Sequence, residues 1–204
     1  MTPVLPLRPR RTEPPEMQAR AMDNLRFIRG VMERAVTFTA VSGWGQVVIG
    51  VTAIVAALVA AHQALPWARV ATWVAEAGIA AGISVASMTL KSHAANIPLL
   101  SGPIRKLVLS FSPPMIVGAV LTAVLVMHGN YDYLPGVWML LYGAAVVSAG
   151  TYSVRSVPVM GALFMIVGTV TLLAPPTWGT ELMILTFGFL HIGFGIWIAW
   201  RHGG

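Results

Sequence analysis

The 204-residue chain has no cysteine. That excludes disulfides, thiolate metal sites and thiol catalysis, but an absence of this kind fits either redox environment and assigns no compartment. Charge is also scarce: 10% of residues are charged against 56% hydrophobic, and the mean hydropathy is +0.75. A water-soluble domain carries roughly 25% charged residues, so too few are present to cover a surface facing water.

Catalytic signatures are missing as well. There is no serine nucleophile motif, zinc-protease signature or Walker sequence. Gly43-Trp44-Gly45 opens an apolar helix rather than following a strand, so it does not read as a phosphate loop. His62 and His128 fall at span ends and His93 lies outside the apolar core, leaving only His191 deep. Bis-histidine haem ligation has no second deep ligand, and His191 with Glu76 would still lack ligands for a metal. No metal, cofactor or catalytic residue is therefore expected. The first 35 residues lack the apolar core of a secretory signal peptide, so the first span is expected to act as its own uncleaved insertion signal.

The chain does contain six long apolar stretches, near 38–61, 68–90, 104–128, 134–153, 157–175 and 181–200. About 20 apolar residues in a helix cross a hydrocarbon core of roughly 30 Å. Within that core every backbone polar group must bond inside its own helix or in a closed barrel. Runs of this length without strand-like alternation predict an all-α integral membrane protein of six helices in three hairpins, spanning 37–204.

The charges give an orientation. Arg8, Arg10, Arg11, Arg20, Arg26, Arg29 and Arg34 precede the first span; Lys91, Arg105, Lys106, Arg155 and Arg201 fall on the same side. The opposite loops hold Arg69, Asp132 and Glu181. The positive-inside rule then places both termini in the cytoplasm. The net charge of +6 is mostly this asymmetry, so nucleic acid is not needed to explain it. Trp67, Tyr131, Tyr133 and Trp178 at one level, with Tyr152, Trp197 and Trp200 at the other, suit amphipathic rings at headgroup depth.

Residues 1–13 are rich in proline and arginine and predict a flexible basic tail. From 14 to 36, with Pro14 and Pro15 in the first turn, apolar residues recur at Met17, Ala21, Leu25, Ile28, Met32 and Ala35. That spacing predicts an amphipathic juxtamembrane helix, its arginines near anionic headgroups or a cytoplasmic partner.

Within the spans, polar residues are few. Glu76 lies about ten residues from the end of span 2, or roughly 15 Å deep. A charge at that depth is costly and marks a functional hypothesis by default. Arg69, Thr72, Glu76 and Ser87 fall within about 40° of one line, and Gly78, Gly82 and Ala86 form a small-residue stripe on the opposite face. Both faces suit protein contact, so span 2 is expected to be central. His191 in span 6 and Tyr142 in span 4 reach similar depth beside small neighbours, so Glu76, Tyr142 and His191 are expected to converge near the midplane. They would form either a proton relay or a polar bridge fixing helix register. Pro113 and Pro114 remove two amide donors from span 3 and predict a kink or a break.

Val48-Ile49-Gly50, Ile116-Val117-Gly118 and Ile166-Val167-Gly168 stand in the odd spans, with Gly78, Gly143 and Gly193 in the even ones. This is the pattern of a hairpin repeat. The last hairpin, MGALFMIVGTVTLLAPPTWGTELMILTFGFLHIGFGIWIAW, has glycines in both helices and a proline-bearing turn. In this it resembles the HdeD-like family of small six-span bacterial membrane proteins. The resemblance implies the bacterial cytoplasmic membrane and a link with acid stress, and brings no catalytic residues. Two function classes follow: a non-enzymatic membrane protein with a structural, stress-related or regulatory role, or a small proton-linked transporter using Glu76, Tyr142 and His191. The partners expected are the lipid bilayer and anionic headgroups. Three small hairpins with glycine-bearing faces also suit a homo-oligomer.

Overall fold

A computed structural model of the chain describes residues 17, 20, 22–28, 41–94, 102–151 and 153–202, with the side chains of 102, 103 and 202 excepted. The chain divides into two compact units, Met1–Phe38 and Thr39–Gly204. In the first, residues 22–28 are helical and exposed, and Asp23 pairs with Arg26 one turn later at 3.6 Å. Leu25 and Ile28, from the expected apolar face, are both exposed. The rest of the anticipated amphipathic helix, with Ala21, Arg29, Met32, Arg34 and Ala35, lies outside the described residues, as does the tail with Arg8, Arg10 and Arg11.

The second unit is all-α, with no strand among the described residues. Its helices are α1 (Gly43–Ala61), α2 (Pro66–Ala94), α3 (Gly102–Met127), α4 (Leu134–Gly150) and α5 (Ser156–Leu173). A last helix, α6, joins Gly179–Met183, Ile184–Leu190 and His191–His202. Among the described residues, six helical stretches are long and apolar enough to cross a membrane.

Local chemistry sets the helix ends. Ser42 precedes α1, and its hydroxyl accepts from the Gly45 amide at 3.2 Å, satisfying one amide that has no partner within the helix. Helix α3 is closed just beyond Met127 by Gly129, whose φ of 72° suits glycine. There the Gly129 amide bonds the Val126 carbonyl and the Asn130 amide bonds that of Leu125, the paired closure of a left-handed helix stop.

Helix α3 continues through Pro113 and Pro114 without a break. Pro113 cannot donate to the carbonyl one turn earlier, that of Leu109. The Ser112 hydroxyl donates to that carbonyl instead, at 3.4 Å. A neighbouring hydroxyl is a usual way for an apolar helix to absorb a proline.

Four helices build the interior. The 18-residue apolar windows of α1, α4, α5 and α6 are 33–44% buried, whereas those of α2 and α3 are 6% buried. Helix α2 is therefore peripheral, not central: it packs on α1 alone to any extent, as α3 packs on α4. Helix α6 lies chiefly along α1, and α5 along α4. The apolar core contains Met139 and Val146 of α4, Val157, Met160 and Phe164 of α5, and Met183 and Ile198 of α6.

Glycines bring the two helices of each couple together. A Cβ added to Gly43 would stand 2.6 Å from the Gly195 carbonyl oxygen, and one on Gly50 would stand 2.6 Å from that of Gly188. In the other couple, Gly143 would meet the Gly161 oxygen at 2.6 Å and Gly136 the Gly168 oxygen at 3.1 Å. In each of the four helices the paired glycines are seven residues apart, about two turns. One face of each helix is thus bare backbone, which lets the axes approach closely.

Candidate functional site

The deepest polar residues sort into two places rather than one. Tyr142 of α4 and His191 of α6 meet directly, with the phenol oxygen 2.7 Å from Nε2. His191 is 1% exposed, and Tyr142 is partly buried. The other ring nitrogen, Nδ1, lies 3.4 Å from the Thr186 carbonyl oxygen. A carbonyl only accepts, so the hydrogen belongs on Nδ1, which leaves Nε2 to accept from the Tyr142 hydroxyl. Both ring nitrogens are then used.

Aromatic rings surround the pair. Phe164 lies 4.8 Å from the Tyr142 ring and 5.3 Å from the His191 ring, centre to centre. Phe187 stacks nearly parallel on His191, at 6.1 Å and 15°. Phe111 meets Tyr142 edge-on at 6.0 Å, and Trp73 touches Phe187 at 6.0 Å. Rings from α2, α3, α4, α5 and α6 thus converge on one point. The segment Ile184–Leu190, just before His191, is π-helical, a wider winding often found at functional sites.

Glu76 lies elsewhere. It is 6% exposed between α2 and α1, with Oε1 2.8 Å from the Thr52 hydroxyl. Among the described residues no hydrogen bond or ion pair joins it to Tyr142 or His191. The Thr52 hydroxyl also lies 2.9 Å from the Ile49 carbonyl oxygen. A hydroxyl has one hydrogen to give, and Ile49 can only accept. Both contacts are satisfied together when Thr52 donates to Ile49 and the carboxylic acid of Glu76 donates to Thr52.

A third interhelix contact was not expected from the sequence. Trp138 Nε1 of α4 donates to Thr122 Oγ1 of α3 at 2.8 Å, and Thr122 donates to the Gly118 carbonyl at 2.7 Å. Each peripheral helix is therefore tied to its neighbour through one threonine, Thr52 for α2 and Thr122 for α3. Tyr142 and His191 tie the two glycine-paired couples to each other.

Gly78, Gly82 and Ala86 receive no helix. All three are exposed, and nothing lies within 4 Å of where a Cβ would stand at Gly78 or Gly82. The small-residue stripe is thus an outer face of the described chain. No group of three His, Cys, Asp or Glu side chains among the described residues has metal-holding geometry. Comparison with known proteins finds no matching family model, no matching curated protein and no matching solved structure.

Proposed function

We propose that this is a non-enzymatic, multi-pass protein of the bacterial cytoplasmic membrane, with both termini in the cytoplasm and a structural, stress-related or regulatory role. Its deep polar groups fix how the helices pack. The observation that carries this reading is the Tyr142–His191 contact. A buried imidazole with both nitrogens satisfied, ringed by phenylalanine, has the character of a packing element rather than a station on a water-filled path. The positive charges on one side of the spans support the orientation. The resemblance of the last hairpin to the HdeD-like family supports the bacterial setting and an acid-stress link.

Reconstitution into vesicles loaded with a pH-sensitive dye tests the proposal. Vesicles holding the protein should dissipate a pH gradient no faster than empty ones, and Glu76→Gln should change nothing. Faster dissipation that Glu76→Gln abolishes would instead establish a proton-linked transporter. One observation favours that second reading, in a narrower form than the sequence suggested: Glu76 is held by hydrogen-bond geometry that suits a proton-bearing acid. The transporting group would then be Glu76 with Thr52, without Tyr142 and His191.

A further inference from the structure

On its outer face α6 carries an open apolar groove of about 200 Å³, lined by Phe189, Leu190, Gly193, Phe194 and Trp197. Its lining side chains are wholly hydrocarbon, apart from the indole nitrogen of Trp197. Phe189 and Trp197 are 58% and 52% exposed, so they stand as walls. Gly193 is the floor, with nothing within 4 Å of the position a Cβ would take. Unlike the glycines that face α1, this one packs against no helix.

The groove has a charged end. The Arg201 guanidinium lies over the Trp197 ring, 4.9 Å from its centre, and Trp200 beside it is 81% exposed. Phe189, Gly193, Trp197 and Arg201 follow one another at four-residue intervals, so they run along one side of the helix. From Phe189 to Arg201 the rise is about 18 Å. Half of a bilayer's hydrocarbon core is roughly 15 Å, so the walls span one leaflet and the cation reaches headgroup level.

We infer that this face of α6 is a binding site for one anionic phospholipid, its acyl chain lying over Gly193 between Phe189 and Trp197 and its phosphate paired with Arg201. The inference rests on the reading that the helices lie in a bilayer. The charge selects the occupant. A helix from a second copy would fill the groove but leave the guanidinium without an anion, whereas a phospholipid matches both the apolar length and the cation.

The test is native mass spectrometry of the whole chain, released from mixed micelles containing equal phosphatidylglycerol and phosphatidylcholine. The wild type should retain one phosphatidylglycerol in about five-fold preference, the size expected of one basic side chain at a bilayer surface. Arg201→Gln should bind both lipids equally. Gly193→Leu, whose side chain enters open space, should melt like the wild type and retain neither lipid. Retention that Gly193→Leu leaves intact would overturn the inference, as would a wild type without preference. A dimer lost in Gly193→Leu with lipid retention unchanged would overturn it in favour of a second copy. Flotation of the wild type with liposomes separates the two levels. A chain that stays with the aqueous fraction refutes the membrane reading itself, while one that floats yet shows no preference refutes only the groove.

Discussion

The Tyr142 hydroxyl and His191 Nε2 lie 2.7 Å apart, although 49 positions separate the two residues in sequence. This contact bridges α4 and α6, and so joins the couple α4–α5 to the couple α1–α6. His191 is buried and Tyr142 partly so, and where water does not reach a contact, losing one partner strands the other.

Tyr142→Phe keeps the ring and removes only the hydroxyl. Nε2 of His191 is then left without a donor, a loss of about 1–3 kcal/mol for an unsatisfied buried group. Reversible unfolding in mixed micelles should show that loss with helical content unchanged by far-UV circular dichroism. Full wild-type stability would mean that water or another donor reaches the imidazole.

The glycines of the two couples and those of α2 should respond in opposite ways. Alanine at Gly161 would put a Cβ 2.7 Å from the Gly143 oxygen and 2.8 Å from the Val147 nitrogen. Backbone on both sides cannot yield cheaply, so Gly161→Ala should cost about 1–3 kcal/mol. Gly78→Ala meets nothing within 4 Å and should be neutral or gain up to about 1 kcal/mol from helix propensity. Unfolding of the two variants side by side checks the contrast. Equal losses at both positions would show that Gly78 is covered, as self-association through the α2 face requires.

Glu76 should behave as an acid away from water. A hydrophobic carbodiimide adds to a protonated carboxyl, and the adduct rearranges to an N-acylurea that peptide mass mapping locates. Dicyclohexylcarbodiimide should modify Glu76, and a water-soluble carbodiimide should modify the exposed Glu181 instead. Labelling of Glu76 by the water-soluble reagent at the rate of Glu181 would reveal an aqueous path. Glu76→Gln should cost under about 1 kcal/mol, because the amide can still donate to Thr52.

How much of this was legible in the sequence depends on the physics involved. Helix identity followed from run length and hydropathy: the expected spans 68–90 and 104–128 lie over Pro66–Ala94 and Gly102–Met127. Hydrocarbon permits few other solutions for such runs. Packing order was a different matter. Depth along a helix can be counted, so Tyr142 and His191 could be placed at one level, but rotation and partner cannot. Glu76 shares that level and still faces Thr52, because α2 lies on α1 and away from α4. The seven-residue glycine spacing, present at Gly43 and Gly50, Gly136 and Gly143, Gly161 and Gly168, and Gly188 and Gly195, was a readable signal for the buried helices. In α2 the glycines are four apart, and that stripe faces outward. The Trp138–Thr122 contact left no sequence trace, since either residue alone fits an anchor or an ordinary apolar position.

The claim that the deep polar groups serve packing is tested most directly by a double-mutant cycle on Tyr142→Phe and His191→Leu, read by reversible unfolding in micelles. Each single variant should be destabilised, and the pair should lose less than the sum, giving a coupling of about 1 kcal/mol. Strictly additive losses, with no coupling between positions 142 and 191, would contradict the account.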